Sequence, residues 1–240
     1  MLYLIGLGLK DEKDITLRGI ETAKKCSECF IEKYTSRWFG SLKNLEQMIG
    51  KDVNILKRVD IEDRQKLLLD KAKKNDICIF VLGDPLAATT HNDLIIEARK
   101  NKIEIDVIHN ASIFSAIGII GLQLYKFGKT ATIPFSRQLE SVRDTIEMNR
   151  KNGLHTLLLL DLDSEINLYM TVKDAINLLI NEKIITKKTK LIGLSNVGND
   201  NRMKYGESSE VMEYDFDTPA VIIIPGKLHF QEKEFLELSE

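Results

Sequence analysis

Asp84, Thr89, Thr90 and His91 fall within nine residues, Gly83-Asp84-Pro85-Leu86-Ala87-Ala88-Thr89-Thr90-His91, directly after the apolar run Ile77 to Leu82. A carboxylate, two hydroxyls and an imidazole in such a stretch can bind a sugar hydroxyl, pair with an ammonium group or relay a proton. Asp84 leads the set as a ligand hook, and its other reading is a turn-former in Gly-Asp-Pro. His91 ranks first among four scattered histidines (His91, His109, His155 and His229), which contain no His-Glu-x-x-His pair and otherwise read as structural or surface groups. A second cluster, His109-Asn110-Ala111-Ser112-Ile113, ends one apolar run and opens another. A helix start there would offer unpaired amides and small side chains to a flat ring, or Ser112 would simply cap it. A third, Ser36-Arg37-Trp38-Phe39-Gly40, reads either as an exposed aromatic loop gripping a partner or as a plug of the core.

Several chemistries are disfavoured. Gly6-Leu7-Gly8 follows the first apolar run, but a dinucleotide fingerprint needs glycine at position 11, which is Asp11. Neither a phosphate-cradling G-x-x-x-x-G-K-[ST] nor a G-x-S-x-G serine elbow occurs. Cys26 and Cys29 form a C-x-x-C without a second pair, and Cys78 lies inside the apolar run, so no metal site is expected. Three cysteines, an odd number, suit a reducing cytoplasm better than a disulfide scaffold. A net charge of −2 lacks the basic excess of nucleic-acid binders. No apolar run approaches the roughly 20 residues of a membrane span, and the N-terminus lacks signal-peptide features.

The surrounding pattern says what must position these groups. Ile77 to Leu82 reads as a strand buried on both faces, as in a parallel sheet, and ligands in open α/β sheets collect at the carboxyl ends of strands. Further strands are expected at Leu2–Leu9, Cys29–Tyr34, Val53–Lys57 and Ile103–Ile108. Helices are expected from Thr16 to Lys25, from Ser41 to Gly50, from Asp60 through Lys74 with Leu67, Leu68 and Ala72 inward, and over 92–101. This alternation is the rhythm of βαβ units. Ala111 to Leu124 is apolar nearly all round and rich in small residues, as a buried helix would be. The second half predicts strands at Thr130–Phe135, His155–Leu162, Lys190–Ser195 and Ala220–Ile224. It predicts helices at Arg137–Asn152 and from Thr171, in a capping box with Asp174, to Asn181, and a charged C-terminal helix. A hairpin turning at Gly206-Glu207-Ser208 precedes the last strand. The division expected is 1–110, an N-terminal α/β domain with the GDPLAATTH loop, and 111–240, a C-terminal α/β domain.

The residues also carry a resemblance. LYLIGLGL at 2–9, YTSRWFGSL at 34–42, GDPLAATTH at 83–91, VIHNASIFSAIG at 107–118, GLQLYKFGKT at 121–130, GLHTLLLLD at 153–161 and IIPGKLH at 223–229 are similar to the diphthine synthase family in its archaeal form. That family lies within the class III, tetrapyrrole-methylase-like methyltransferases, and the likeness spans nearly the whole chain in order. It implies two α/β domains with S-adenosyl-L-methionine in the cleft between them, and a homodimer; the 111–124 stretch would be part of that interface or a plain core helix. It implies methylation of the amino group on the 3-amino-3-carboxypropyl-modified histidine of elongation factor 2, a step of diphthamide biosynthesis. Carried over by motif, the donor contacts are Leu9, Asp84, Ala87, Ser112, Ile113, Leu160, Val197 and Ala220. Relatives acting on porphyrins often carry G-x-G-P-G-D in the first loop, where this chain has Gly6-Leu7-Gly8-Leu9-Lys10-Asp11.

Methyl transfer from a sulfonium is an in-line displacement that rests on positioning. The acceptor amine must be neutral, and burial beside the cationic donor would depress its pKa. No side chain is therefore assigned as a general base. Other readings are a methyltransferase of the same fold acting on a corrinoid or on ribosomal RNA, and a nucleoside-binding module without turnover.

Overall fold

The computed structural model describes residues 1–239. They form two compact units, Met1–Phe114 with Ser164–Ile166, and Ser115–Asp163 with the chain from Asn167 onward.

Strands and helices alternate along the first unit: β1 (Leu2–Gly6), α1 (Leu17–Lys25), β2 (Glu28–Glu32), α2 (Leu42–Ile49), β3 (Val53–Leu56), α3 (Arg58–Glu62), α4 (Gln65–Lys74), β4 (Ile77–Val81), α5 (His91–Lys100) and β5 (Ile105–Ile108). The strands pair in parallel in the order β3-β2-β4-β1-β5. Apolar runs this continuous need cover on both faces, and all five residues of β4 are buried. Successive strand residues point to opposite faces. Leu2, Leu4, Ile77 and Ile79 thus pack with Leu68, Leu69 and Ala72 of α4 and with Leu94 and Ala98 of α5. Ile5, Cys78 and Phe80 pack instead with Ala23 of α1 and with Leu45 and Ile49 of α2. β1 and β4 are therefore neighbours whose following helices, α1 and α5, cover opposite faces. Their carboxyl ends form a topological switch point, where such sheets leave a crevice.

After α6 (Ile113–Ala116), a single turn, come β6 (Ala131–Ile133), α7 (Glu140–Lys151), β7 (Thr156–Leu160), the short strands β8 (Leu162–Asp163) and β9 (Leu168–Tyr169), and α8 (Val172–Asn181). β10 (Lys190–Ser195), β11 (Arg202–Glu207), α9 (Ser208–Val211), β12 (Ala220–Ile224) and α10 (Phe230–Leu238) complete the second unit. Its main sheet has the order β11-β10-β12-β7-β6, with β6 parallel to β7 and the other pairs antiparallel. One face carries Leu158, Leu160, Ile222 and Ile224 against Val142 and Ile146 of α7 and Ala175, Ile176 and Leu179 of α8. The expected caps are present: Thr16 Oγ1 accepts the Gly19 amide at 3.0 Å, and Thr171 Oγ1 accepts the Asp174 amide at 3.1 Å.

Several expectations are corrected. The single helix from Asp60 to Lys74 is two, α3 and α4, broken at residues 63–64. The break turns the apolar face, so that Leu67 is 66% exposed and Leu69 lies inward. The 111–124 segment is not one buried helix. Beyond α6 it tightens to a 3-10 turn over Ile117–Ile120 and reverses at Gly121, where φ is 77° and a side chain would strike the Phe235 ring. Phe114, Ile119 and Leu124 are left exposed. The hairpin does not turn at Gly206-Glu207-Ser208: Gly206 and Glu207 lie within β11, and Ser208 opens α9. The reversal is 196–201, where Asn196, Gly198 and Asp200 all take positive φ. The strand expected over Thr130–Phe135 covers only 131–133, because Pro134 cannot continue the ladder.

Candidate functional site

Three loops meet at the switch point. The one after β1 bridges to the one after β4 through Gly8 and Gly83, whose amides and carbonyls exchange bonds at 3.2 and 2.9 Å. Gly8 has φ of 77°, and a Cβ there would lie 2.6 Å from that of Asp14, so the approach requires glycine. Asp14 Oδ2 accepts the amides of Leu9 and Lys10 at 3.1 and 2.8 Å, fixing the turn that presents Leu9. The loop after β5 joins through Asn110, whose Nδ2 donates to the carbonyls of Gly6 and Asp14, both at 2.9 Å.

Asp84 ties the remaining edge. Its Oδ1 accepts the Leu86 amide at 2.9 Å. Its Oδ2 accepts the Asn110 amide at 3.1 Å and lies 2.8 Å from His109 Nδ1. Burial pushes its carboxyl pKa up, but the Leu86 amide, the His109 ring and the Asn110 amide outweigh burial and hold it below the usual range. The carboxylate is 13% exposed. With about four acceptor positions and three in use, one remains on Oδ1 for a ligand. Leu9, Asp84, Ala87 and Ser112 stand on these three loops, and Ile113 opens α6 directly after the third.

His91 is fully buried, and its Nδ1 is bonded to Thr89 Oγ1. Burial pushes its pKa down to about 4, only partly opposed by the Pro85 carbonyl, so the ring is neutral near pH 7 and packs rather than titrates. The Trp38 loop is half-buried, with Arg37 exposed. Trp38 packs against the core beneath α1 and α2, with the Lys33 ammonium 5.7 Å from its ring centroid, and the Phe39 amide donates to the Lys10 carbonyl at 3.1 Å. Cys26, Cys29 and Cys78 are buried free thiols, and among the described residues no group of three or more His, Cys, Asp or Glu side chains could hold a metal ion. No helix among them is long and apolar enough to cross a membrane.

Sequence reasoning missed two organisers. Glu32, fully buried at the end of β2, accepts the Thr35 hydroxyl at 2.6 Å and the amides of Leu82, Tyr34 and Thr35 at 3.1, 3.2 and 3.2 Å. Glu12 accepts the Ser41 amide at 2.9 Å and Asn44 Nδ2 at 2.7 Å, anchoring the far end of the Trp38 loop. Nothing in their spacing marks either glutamate as buried.

The other three expected contacts lie on the second unit. Val221 pairs with Leu159 and Ser195 with Ala220, so Ser195, Ala220 and Leu160 form one row across β10, β12 and β7. Ile133 of β6 extends the row by pairing with Leu160. Leu160 and Ala220 are 7% and 8% exposed, and Val197 lies in the loop two residues past Ser195. Elsewhere in this unit Glu232 joins the Lys126 ammonium, His155 Nε2 at 3.0 Å, and the amides of Gln123 and His229 at 3.0 and 2.7 Å. His155 Nδ1 accepts the Gly226 amide at 2.9 Å, so the proton sits on Nε2 and the ring is neutral.

Known proteins share this fold. A family model of the tetrapyrrole (corrin/porphyrin) methylases matches residues 1–201. A diphthine synthase of Methanococcus aeolicus is 41% identical over 249 residues, covering 99% of this chain and 97% of its own. One from Methanocaldococcus jannaschii is 41% identical over 251 residues, covering 99% and 98%. Among solved structures, a crystal structure of diphthine synthase matches with a TM-score of 0.92 at 35% identity, covering 99% of this chain and 94% of the other. On full-length likeness to them, with the switch-point loops in place, the chain belongs to the tetrapyrrole methylases and, within them, to the diphthine synthase family, methyltransferases of diphthamide biosynthesis.

Proposed function

We propose that the chain transfers the methyl group of S-adenosyl-L-methionine to the amino group of the 3-amino-3-carboxypropyl arm on the modified histidine of elongation factor 2. The observation that carries this reading is the 41% identity to diphthine synthases across 99% of the chain. The site chemistry supports it. Glycines that admit backbone approach, one carboxylate with a free acceptor position and a row of small and aliphatic side chains suit a nucleoside carrying a sulfonium.

Leu9, Asp84, Ala87, Ser112 and Ile113 of the first unit and Leu160, Val197 and Ala220 of the second are the proposed contacts. Bound there, S-adenosyl-L-methionine supplies an electrophilic methyl on a positively charged sulfur. Asp84 holds the loops after β4 and β5 in one arrangement while its spare acceptor position meets a ribose hydroxyl or the donor ammonium. Leu160 and Ala220 exclude water, and no buried base is needed for an amine whose pKa a neighbouring cation depresses. His91, neutral and enclosed, serves the loop and not the proton. The enzyme acts in the cytoplasm as a homodimer, with elongation factor 2 as its protein partner and neither nucleic acid nor membrane. The division of labour is by domain, 1–110 and 111–240.

The test incubates the purified chain and methyl-labelled donor with three acceptors: elongation factor 2 bearing the unmethylated arm, unmodified elongation factor 2, and a corrin. Label should enter the first alone. Label on the corrin, or none on the arm-bearing factor, would sink the reading.

A further inference from the structure

Ser195, the last residue of β10, is fully buried, and its Oγ has no hydrogen-bond partner. Asn196 beside it is 8% exposed, and its Oδ1 is likewise without a partner. Buried polar side-chain atoms are nearly always satisfied, so two adjacent orphans call for a reason. The Asn196 amide cannot escape by flipping, because Nδ2 donates to Asp217 Oδ2 at 3.3 Å and Oδ1 must stay the acceptor. Its backbone is held too, with φ at 51° and the amide donating to the Pro219 carbonyl at 3.1 Å.

Ser195 ends the row formed with Ala220 and Leu160, on the face of the sheet that carries them, and Asn196 follows it directly in the loop after β10. We infer that Ser195 and Asn196 recognise the adenine edge of the methyl donor. Ser195 Oγ donates to a ring nitrogen, and Asn196 Oδ1 accepts from the exocyclic amine. This rests on the donor reading above and adds the base-recognising pair that reading lacks.

Adenine is favoured over the amino-acid end of the donor on chemistry. The amino-acid end carries a carboxylate and an ammonium and calls for charged partners or unpaired amides. Around Ser195 the row offers Ala220 and Leu160, with Val197 two residues on. The nearby Asp217 carboxylate is occupied by Asn196 and by Arg202, whose Nε lies 3.4 Å away. One neutral donor next to one neutral acceptor matches an amine beside a ring nitrogen. It mismatches hypoxanthine, whose carbonyl and ring N–H reverse that order.

Titration calorimetry with S-adenosyl-L-homocysteine and with its hypoxanthine counterpart tests this on the whole chain, with thermal melting in parallel. Wild type should prefer adenine by about tenfold or more, as sites built around hydrogen bonds do. Ser195→Ala should weaken the adenine ligand about tenfold while melting at the same or a higher temperature, because an unpartnered buried hydroxyl does not support the free fold. Asn196→Gly, which keeps the positive φ, should shrink the preference for adenine over hypoxanthine to about threefold or less. Wild-type affinities in both variants, or a lower melting temperature in Ser195→Ala with affinity unchanged, would overturn the inference. Failure of wild type to bind either ligand would instead remove the donor reading on which it stands.

Discussion

Asp84 Oδ2 accepts the backbone amide of Asn110 at 3.1 Å, so one carboxylate joins the loop after β4 to the loop after β5. Asp84→Ala would strip the Asn110 and Leu86 amides and the His109 ring of their acceptor together. Donor affinity should fall about tenfold or more by calorimetry, and stability by about 1–3 kcal/mol in denaturant melts. Asp84→Asn retains one acceptor oxygen and should lie between. The folded carboxyl is held below its ordinary 3.8, so its contribution is complete above about pH 3.8 and is lost as pH falls through the folded value. Unchanged donor affinity in Asp84→Ala would exclude the carboxylate from the site.

His91 gives a second dependence on pH. Its folded pKa is pushed down to about 4 from an ordinary 6.5. Between those values the unfolded chain binds a proton that the folded chain refuses, so stability declines as pH falls from about 6.5 towards 4 and then levels off. Replacing His91 by Gln should flatten that interval in melts taken across pH. The same variant should retain methyl transfer in proportion to its folded fraction. Loss of transfer with donor binding intact would make His91 a participant in the chemistry.

Where the loop after β4 falls was legible in the sequence, for physical reasons that can be named. Ile77 to Leu82 could only be a doubly buried strand, and Gly83-Asp84-Pro85 had to stop it. What escaped notice depends on contacts between segments far apart in the chain. Glu32 looks like an ordinary charged strand end until the amide of Leu82, fifty positions away, is seen to need it. The break between α3 and α4 falls at Asp63-Arg64, with neither glycine nor proline to announce it. The misplaced hairpin is different, because its signal was present. Asn196-Val197-Gly198-Asn199-Asp200-Asn201 is dense in residues that tolerate positive φ, whereas Gly206 sits in an edge strand.

Gly8→Ala tests whether the switch-point loops act as one body. A methyl group at φ of 77° would press on the Asp14 side chain at 2.6 Å and disturb the ladder between Gly8 and Gly83. Left-handed backbone at a residue other than glycine costs about 1–3 kcal/mol, and melting should show a loss of that order. Hydrogen exchange should speed up at Leu9, Lys10, Gly83 and Asn110 together, with donor affinity falling alongside. If only the Gly8 neighbourhood exchanged faster, the three loops would be independent.

Glu232 anchors α10 by a different balance. Burial alone would raise its pKa, yet the Lys126 ammonium, the amides of Gln123 and His229, and the His155 ring bring it down to about 2. Folding therefore favours the carboxylate, and the stability it contributes is present in full above about pH 4.5 and lost as pH falls towards 2. Glu232→Gln keeps the shape but leaves the Lys126 ammonium without its counter-charge and turns an amide NH2 towards groups that all donate. Breaking a buried, hydrogen-bonded ion pair from one side costs several kcal/mol, and since Lys126 is 20% exposed the expected loss here is about 2–4 kcal/mol. Lys126→Met should cost less, because the carboxylate keeps His155 and two amides. Acid melts of Glu232→Gln should also lose the slope that wild type shows below about pH 4.5. Equal destabilisation by the two variants would mean that the ion pair, and not the gathering of donors around one carboxylate, fastens the C-terminal helix.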